Sequence, residues 1–115
     1  MSLKSIQDNK DPLYLLLREG RIEDFNGRKK LGEKTDLSHC DFRGLYLRGL
    51  DASGLDFSGA YFRQADLRGI DFSQCCLQGA SINSAKISGT YFPKALSPAE
   101  ITLSLLYGTK MRYSD

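Results

Sequence analysis

The single histidine of this 115-residue chain, His39, stands next to Cys40. A histidine beside a thiol can activate a nucleophile, provided that both side chains converge within hydrogen-bond reach. Two further cysteines, Cys75 and Cys76, are adjacent, and aspartates recur at 36, 41, 51, 56, 66 and 71. Carboxylates at regular spacing are the material of acid–base pairs or of a hard-cation site. A third group combines Arg43, Tyr46, Arg48, Tyr61, Arg63 and Arg68. Arginine and tyrosine are the types enriched where protein interfaces concentrate their energy. Which chemistry is available depends on which of these side chains the fold turns to one surface.

The spacing supplies that information. Residues 56–75 read DFSGA, YFRQA, DLRGI and DFSQC in groups of five. Twelve such groups follow without a gap, centred on Leu37, Phe42, Leu47, Ala52, Phe57, Phe62, Leu67, Phe72, Leu77, Ile82, Ile87 and Phe92. A period of five fits neither a helix nor a simple half-buried strand, and such self-similarity signals a repeat architecture. The position two before each centre is a second inward one, mostly Ala, Leu, Ile or Cys. Two residues after the centre, glycine recurs at 44, 49, 54, 59, 69, 79 and 89. Glycine there suits a corner where the chain changes direction.

In this register Cys40 points inward and His39 sits at a corner, so the two are not expected to converge. Cys75 points inward and Cys76 outward, without a charge pattern that would lower its pKa. The aspartates lie on outer walls beside Ser or Arg, as a solvated ladder with no cleft. Asp36 with Asp56, and Asp51 with Asp71, are expected as stacked neighbours. No catalytic, metal-ligating or cofactor-binding residues are expected. The RKK run at 28–30 and Lys34 read as positive charge near a helix C-terminus.

Composition bounds the rest. Sixteen Lys and Arg against fourteen Asp and Glu leave a formal charge of +2, which implies neither a nucleic-acid binder nor an acidic decoy. The start MSLKSIQDNK has no apolar stretch of a signal peptide. No apolar run approaches the roughly twenty residues of a membrane span. Three cysteines with no metal-type spacing suit a reducing compartment, so a cytoplasmic protein without membrane attachment is expected.

The pattern A-(D/N)-(L/F)-x-x, seen unaltered in ADLRG at 65–69, resembles that of pentapeptide-repeat proteins. The helical flanks are similar to those of a small bacterial subgroup. The resemblance implies an all-β solenoid, a right-handed quadrilateral β-helix with four pentapeptides per coil. Twelve groups then make about three coils, and residues twenty apart stack on one wall. Wall one carries Leu37, Phe57 and Leu77; wall two Phe42, Phe62 and Ile82. Wall three carries Leu47, Leu67 and Ile87; wall four Ala52, Phe72 and Phe92. Leu50 and Leu55 are expected to fill the volume lost at Ala52, with Leu45 and Ile70 marking a locally distorted coil.

The open ends of a solenoid need covers. The chain divides into a helical cap at 1–34, the repeat at 35–95, and a helix and tail at 96–115, all in one structural domain. In DPLYLLLREG, Asp11, Pro12 and Gly20 read as cap, first residue and stop of a helix. RIEDFNGRKKLG adds a second helix weakened by Gly27. In LSPAEITLSLLYG, Ser97 and Glu100 form a capping box and Gly108 the stop. Leu13, Leu16, Leu17, Phe25 and Leu31 are expected to cover the first coil. Ile101, Leu105 and Leu106 are expected on the last.

The functional expectation is a non-catalytic protein-binding module. It has an unknown protein partner, no small-molecule substrate and no direct contact with nucleic acid. Its candidate patch is Arg43, Tyr46, Arg48, Tyr61, Arg63 and Arg68. The resemblance offers a second reading, since some relatives mimic DNA and bind type II topoisomerases. Three coils at about 4.8 Å make a rod of roughly 14 Å, for which a mimic would want about eight negative charges. The repeat instead sums to zero. The third reading is a homodimer through the C-terminal helix, with Leu103 and Tyr107 on its outer side.

Overall fold

The computed structural model describes residues 11–114. From Leu37 to Ile87, the carbonyl of every centre accepts a hydrogen bond from the amide three residues later. Phe62 to Ala65 is one such turn, at 2.9 Å. The third residue of most turns has positive φ, in glycines and also in His39, Gln64 and Ser84 at 58–59°. The residue before it does not, and this combination is that of a type II turn. Gln74 breaks the series: its turn closes from Cys75 to Phe72, yet its φ is not positive.

Successive turns stack in parallel. Bridges join Asp41 to Tyr61, Tyr46 to Asp66, Asp56 to Cys76, Tyr61 to Ser81, Asp66 to Lys86 and Asp71 to Tyr91. Each pair is twenty residues apart, the spacing that four pentapeptides per coil require. The bridges are isolated, so the walls are single rungs rather than extended strands. Phe42 N–H donates to Tyr61 C=O at 2.8 Å, and Tyr61 N–H donates back to Cys40 C=O at 3.0 Å.

The centres fill the interior. Phe42, Phe57, Phe62 and Phe72 are fully buried. Phe42 stacks on Phe62 at 5.1 Å between ring centres, and Phe57 meets Phe72 edge to face at 5.7 Å. Such pairs add to the hydrophobic burial itself. Ala52, Leu50, Leu55 and Ile70 are all buried, and Leu45 is half-buried.

Two walls are joined more sparsely than expected, by His39 N–H to Ser58 C=O on wall one and Gly54 N–H to Gln74 C=O on wall four, both at 2.8 Å. No bridge joins coil one to coil two on walls one and four. On the opposite, open side of coil one at wall four, Asn26 of the N-terminal cap stands in for a preceding coil. Its amide donates to Gly49 C=O at 2.9 Å, and its carbonyl accepts from Asp51 N–H at 2.9 Å. Asp36–Asp56 and Asp51–Asp71 are not joined by the bridges that the simple register requires.

Among the described residues, three helices flank the solenoid: α1 (Pro12–Arg18), α2 (Ile22–Lys30) and α3 (Pro98–Tyr107). Asp11 caps α1 by accepting from Leu13 and Tyr14 N–H, and Tyr14 Oη donates to Asp41 C=O at 2.7 Å. Leu13, Leu16, Leu17 and Phe25 cover the first coil, but Leu31 is 85% exposed because α2 ends before it. At the other end Ser104 Oγ accepts from Ile82 N–H at 2.9 Å. Ile101 and Leu105 pack on the core, whereas Leu106 faces outward.

Ser97 accepts from Glu100 N–H, and Gly108 ends α3 in the left-handed region. The expected capping box is only half formed. Glu100 accepts from the Arg112 backbone at 2.8 Å and from its guanidinium at 3.0 Å, so its carboxylate holds the tail. That tail takes the place of a further rung: Gly79 N–H donates to Met111 C=O at 2.7 Å, and Met111 N–H to Ala80 C=O at 2.8 Å.

Two corners make the turn geometry testable. Gln64 holds a left-handed conformation that disfavours side chains, and Gln74 does not. Gln64→Gly is expected to raise the unfolding free energy by about 0.5–1 kcal/mol, and Gln74→Gly to lower it by a similar amount. Urea denaturation of the two variants checks both signs.

Candidate functional site

The outer walls follow from the same turns. In each group with an aspartate before the centre, its carboxylate accepts from the amide two residues later. The six bonds, from Ser38, Arg43, Ser53, Ser58, Arg68 and Ser73, span 2.8–3.2 Å. These are Asx-type closures that fix the wall before the corner. The ladder is thus structural. Its signature was present in the sequence as an aspartate followed two residues later by Ser or Arg.

Two of these carboxylates also hold arginines. Arg43 grips Asp41 through Nε at 2.8 Å and Nη2 at 2.9 Å. Arg68 grips Asp66 through Nε at 2.9 Å and Nη2 at 2.7 Å. The Arg68 guanidinium holds the buried Asp66 carboxyl down at about 2. Arg43 does the same to Asp41, in direction, more than burial opposes it. Amide donation from Ser38 lowers Asp36, and hydrogen bonds from Ser53 and Ser73 lower Asp51 and Asp71.

The candidate patch therefore divides. Arg43 and Arg68 are engaged with their own wall. Arg48 and Arg63 are exposed and form no ion pair among the described residues. Tyr46 is 74% exposed, on wall three above Asp66; Tyr61 is half-buried on wall two between Asp41 and Ser81. Arg48 also lines a surface groove of about 680 Å³ with Gly20–Asp24, Asn26 and Gly49. Tyr46 lines a second, of about 300 Å³, with Leu17–Gly20, Gly44 and Leu45. The N-terminal cap thus borders the patch, a juxtaposition that the repeat pattern alone does not contain.

The pentapeptide-repeats family model matches in eight copies, over residues 33–64 and 56–93, more than half of the chain. The chain belongs to the pentapeptide-repeat family. Comparison with curated proteins and with solved structures gives no match.

Within this pentapeptide-repeat chain the other reactive side chains are separated. Cys40 is buried and His39 is exposed, lying over Gly59, where a Cβ would meet the imidazole. Cys75 donates to Phe72 C=O at 3.3 Å, and burial pushes its thiol up to about 12. Cys76, expected as an exposed thiol, is half-buried near Tyr113 of the tail, whose Oη accepts from Leu77 N–H at 2.9 Å. Among the described residues no group of three or more His, Cys, Asp or Glu could hold a metal ion. No described helix is long and apolar enough to cross a membrane. Leu103 is 39% and Tyr107 73% exposed on α3.

The lowered carboxyl groups set a pH dependence. A depressed carboxyl stabilises the fold above its unfolded pKa, and this contribution is lost as pH falls through the folded value. Urea midpoints should be flat above about pH 5 and fall between about pH 4 and about 2. Asp66→Asn should start less stable at pH 7 and lose less on acidification. An equal acid response in both proteins would contradict the assignment to Asp66.

Proposed function

We propose that this chain is a non-catalytic, cytoplasmic protein-binding scaffold built on a right-handed quadrilateral β-helix of three coils. It takes no cofactor or small-molecule substrate. Its recognition surface is the pair of walls carrying Arg43, Tyr46, Arg48, Tyr61, Arg63 and Arg68. The observation that carries this reading is the state of Arg48 and Arg63: both guanidiniums stand exposed beside tyrosines and form no ion pair among the described residues, while Arg43 and Arg68 are locked into bidentate pairs. Tethered walls with little to rearrange lose little entropy on binding.

The DNA-mimic reading is disfavoured by the fate of the carboxylates. All six are tied to backbone amides, and two are neutralised by arginine. A gyrase supercoiling assay that shows inhibition or quinolone rescue would revive it. Pairing through α3 is favoured by one observation, the exposed apolar row Leu103, Leu106 and Tyr107. A mass independent of concentration in sedimentation would exclude it.

Affinity capture from the native host tests the leading reading. Wild type should retain a defined partner, and R48E/R63E should lose it while keeping the same circular dichroism. Capture unchanged by the double reversal removes this patch.

A further inference from the structure

The twenty-residue register sorts charge as well as apolar side chains. Walls one and four carry Asp36, Asp56, Asp51 and Asp71, all exposed and none beside an arginine of the repeat. Among the described residues, Lys29 of α2 reaches Asp51 at 3.2 Å. Walls two and three carry Arg43, Arg63, Arg48, Arg68 and Lys86 against Asp41 and Asp66, five cations to two acids. Exposure widens the contrast. Asp66 is buried and Asp41 half-buried beneath their arginines, whereas Arg43, Arg48, Arg63 and Lys86 stand exposed. Arg18 of α1 reaches the Asp41 carbonyl at 3.4 Å on the basic side, and at the cap border Glu23 and Asp24 share the groove of Arg48 and Glu19 that of Tyr46. A repeat with zero net charge is thus polar across its width: two adjacent acidic walls back onto two adjacent basic ones.

We propose that the basic pair of walls docks an acidic protein segment, whose carboxylates meet Arg48 and Arg63 and whose chain packs against Tyr46 and Tyr61. This rests on the scaffold reading and names the chemistry of its partner. Complementary charge steers encounter and fixes orientation, and the acidic walls opposite turn away the same partner. Charge density argues for protein over nucleic acid. Three rungs span roughly 14 Å, over which duplex DNA presents about eight phosphates. Five cations interrupted by Asp41 and Asp66 match sparser carboxylates.

The test is an NMR titration of the full chain with poly-L-glutamate, poly-L-lysine and a short duplex DNA. Poly-L-glutamate should shift amides of residues 41–48 and 61–68, with affinity falling as salt rises. R48E/R63E should weaken it by about tenfold or more, and R48Q/R63Q by less. Both exchanges remove exposed groups that form no ion pair among the described residues, and unchanged spectra elsewhere verify the fold. Shifts confined to walls one and four, or equal affinity in R48E/R63E, would overturn the proposal. Tighter binding of the duplex would transfer the surface to nucleic acid, and a mass that rises with concentration at low salt would transfer it to a second copy. A host partner captured equally by wild type and R48E/R63E overturns this inference and leaves a scaffold acting elsewhere. Failure to capture any partner overturns the scaffold reading itself.

Discussion

Every fifth carbonyl from Leu37 to Ile87 is held by the amide three residues further on. This turn bond sets the length of each group, and everything else in the repeat inherits its period. The centre points inward because the chain bends just after it. The residues on either side of the centre point outward because backbone alternates between faces. Four such bends return the chain to its starting wall, where Tyr61 pairs with Asp41 and then with Ser81. Hydrophobic burial of the phenylalanines supplies the drive, but the turn decides which residues share a wall.

The aspartates link this local geometry to the surface. Each occupies the position from which a short carboxylate can accept from the amide that opens the corner. Their regularity is therefore a property of folding, and the residue after each centre sets the character of the wall. Where that residue is serine the carboxylate stays exposed and the wall is acidic. Where it is arginine, as at Arg43 and Arg68, the carboxylate is covered and the wall turns basic. Arg63 and Arg48 follow tyrosines, which offer no carboxylate, so neither forms an ion pair among the described residues.

Much of this was legible in the residues. The period named the inward positions, and Phe42, Phe57, Phe62 and Phe72 are buried as that reading requires. Ser97, Pro98 and Gly108 mark α3 because capping is a local interaction. Two features that the pattern missed are contacts made across long stretches of sequence. Asn26 caps the open edge of coil one twenty-three residues away at Gly49. Glu100 leaves its own helix for Arg112. Leu31 and Leu106 have the right chemistry for a cap, but each lies on the outward side of its element's end. The arginine patch was visible as a set of residue types. Its division into members locked in ion pairs and members outside them needed the distances.

The claim on which both the core and the charged walls depend is the twenty-residue register. It is tested most directly by spin labels on the outer surface, with the three native cysteines replaced by alanine. Nitroxides at positions 43 and 63 should lie on adjacent rungs of one wall, with backbones about 5 Å apart, and should broaden each other strongly. Labels at 43 and 68 should lie on different walls and broaden less. Stronger coupling in the 43/68 pair would mean five groups per coil and would contradict the account.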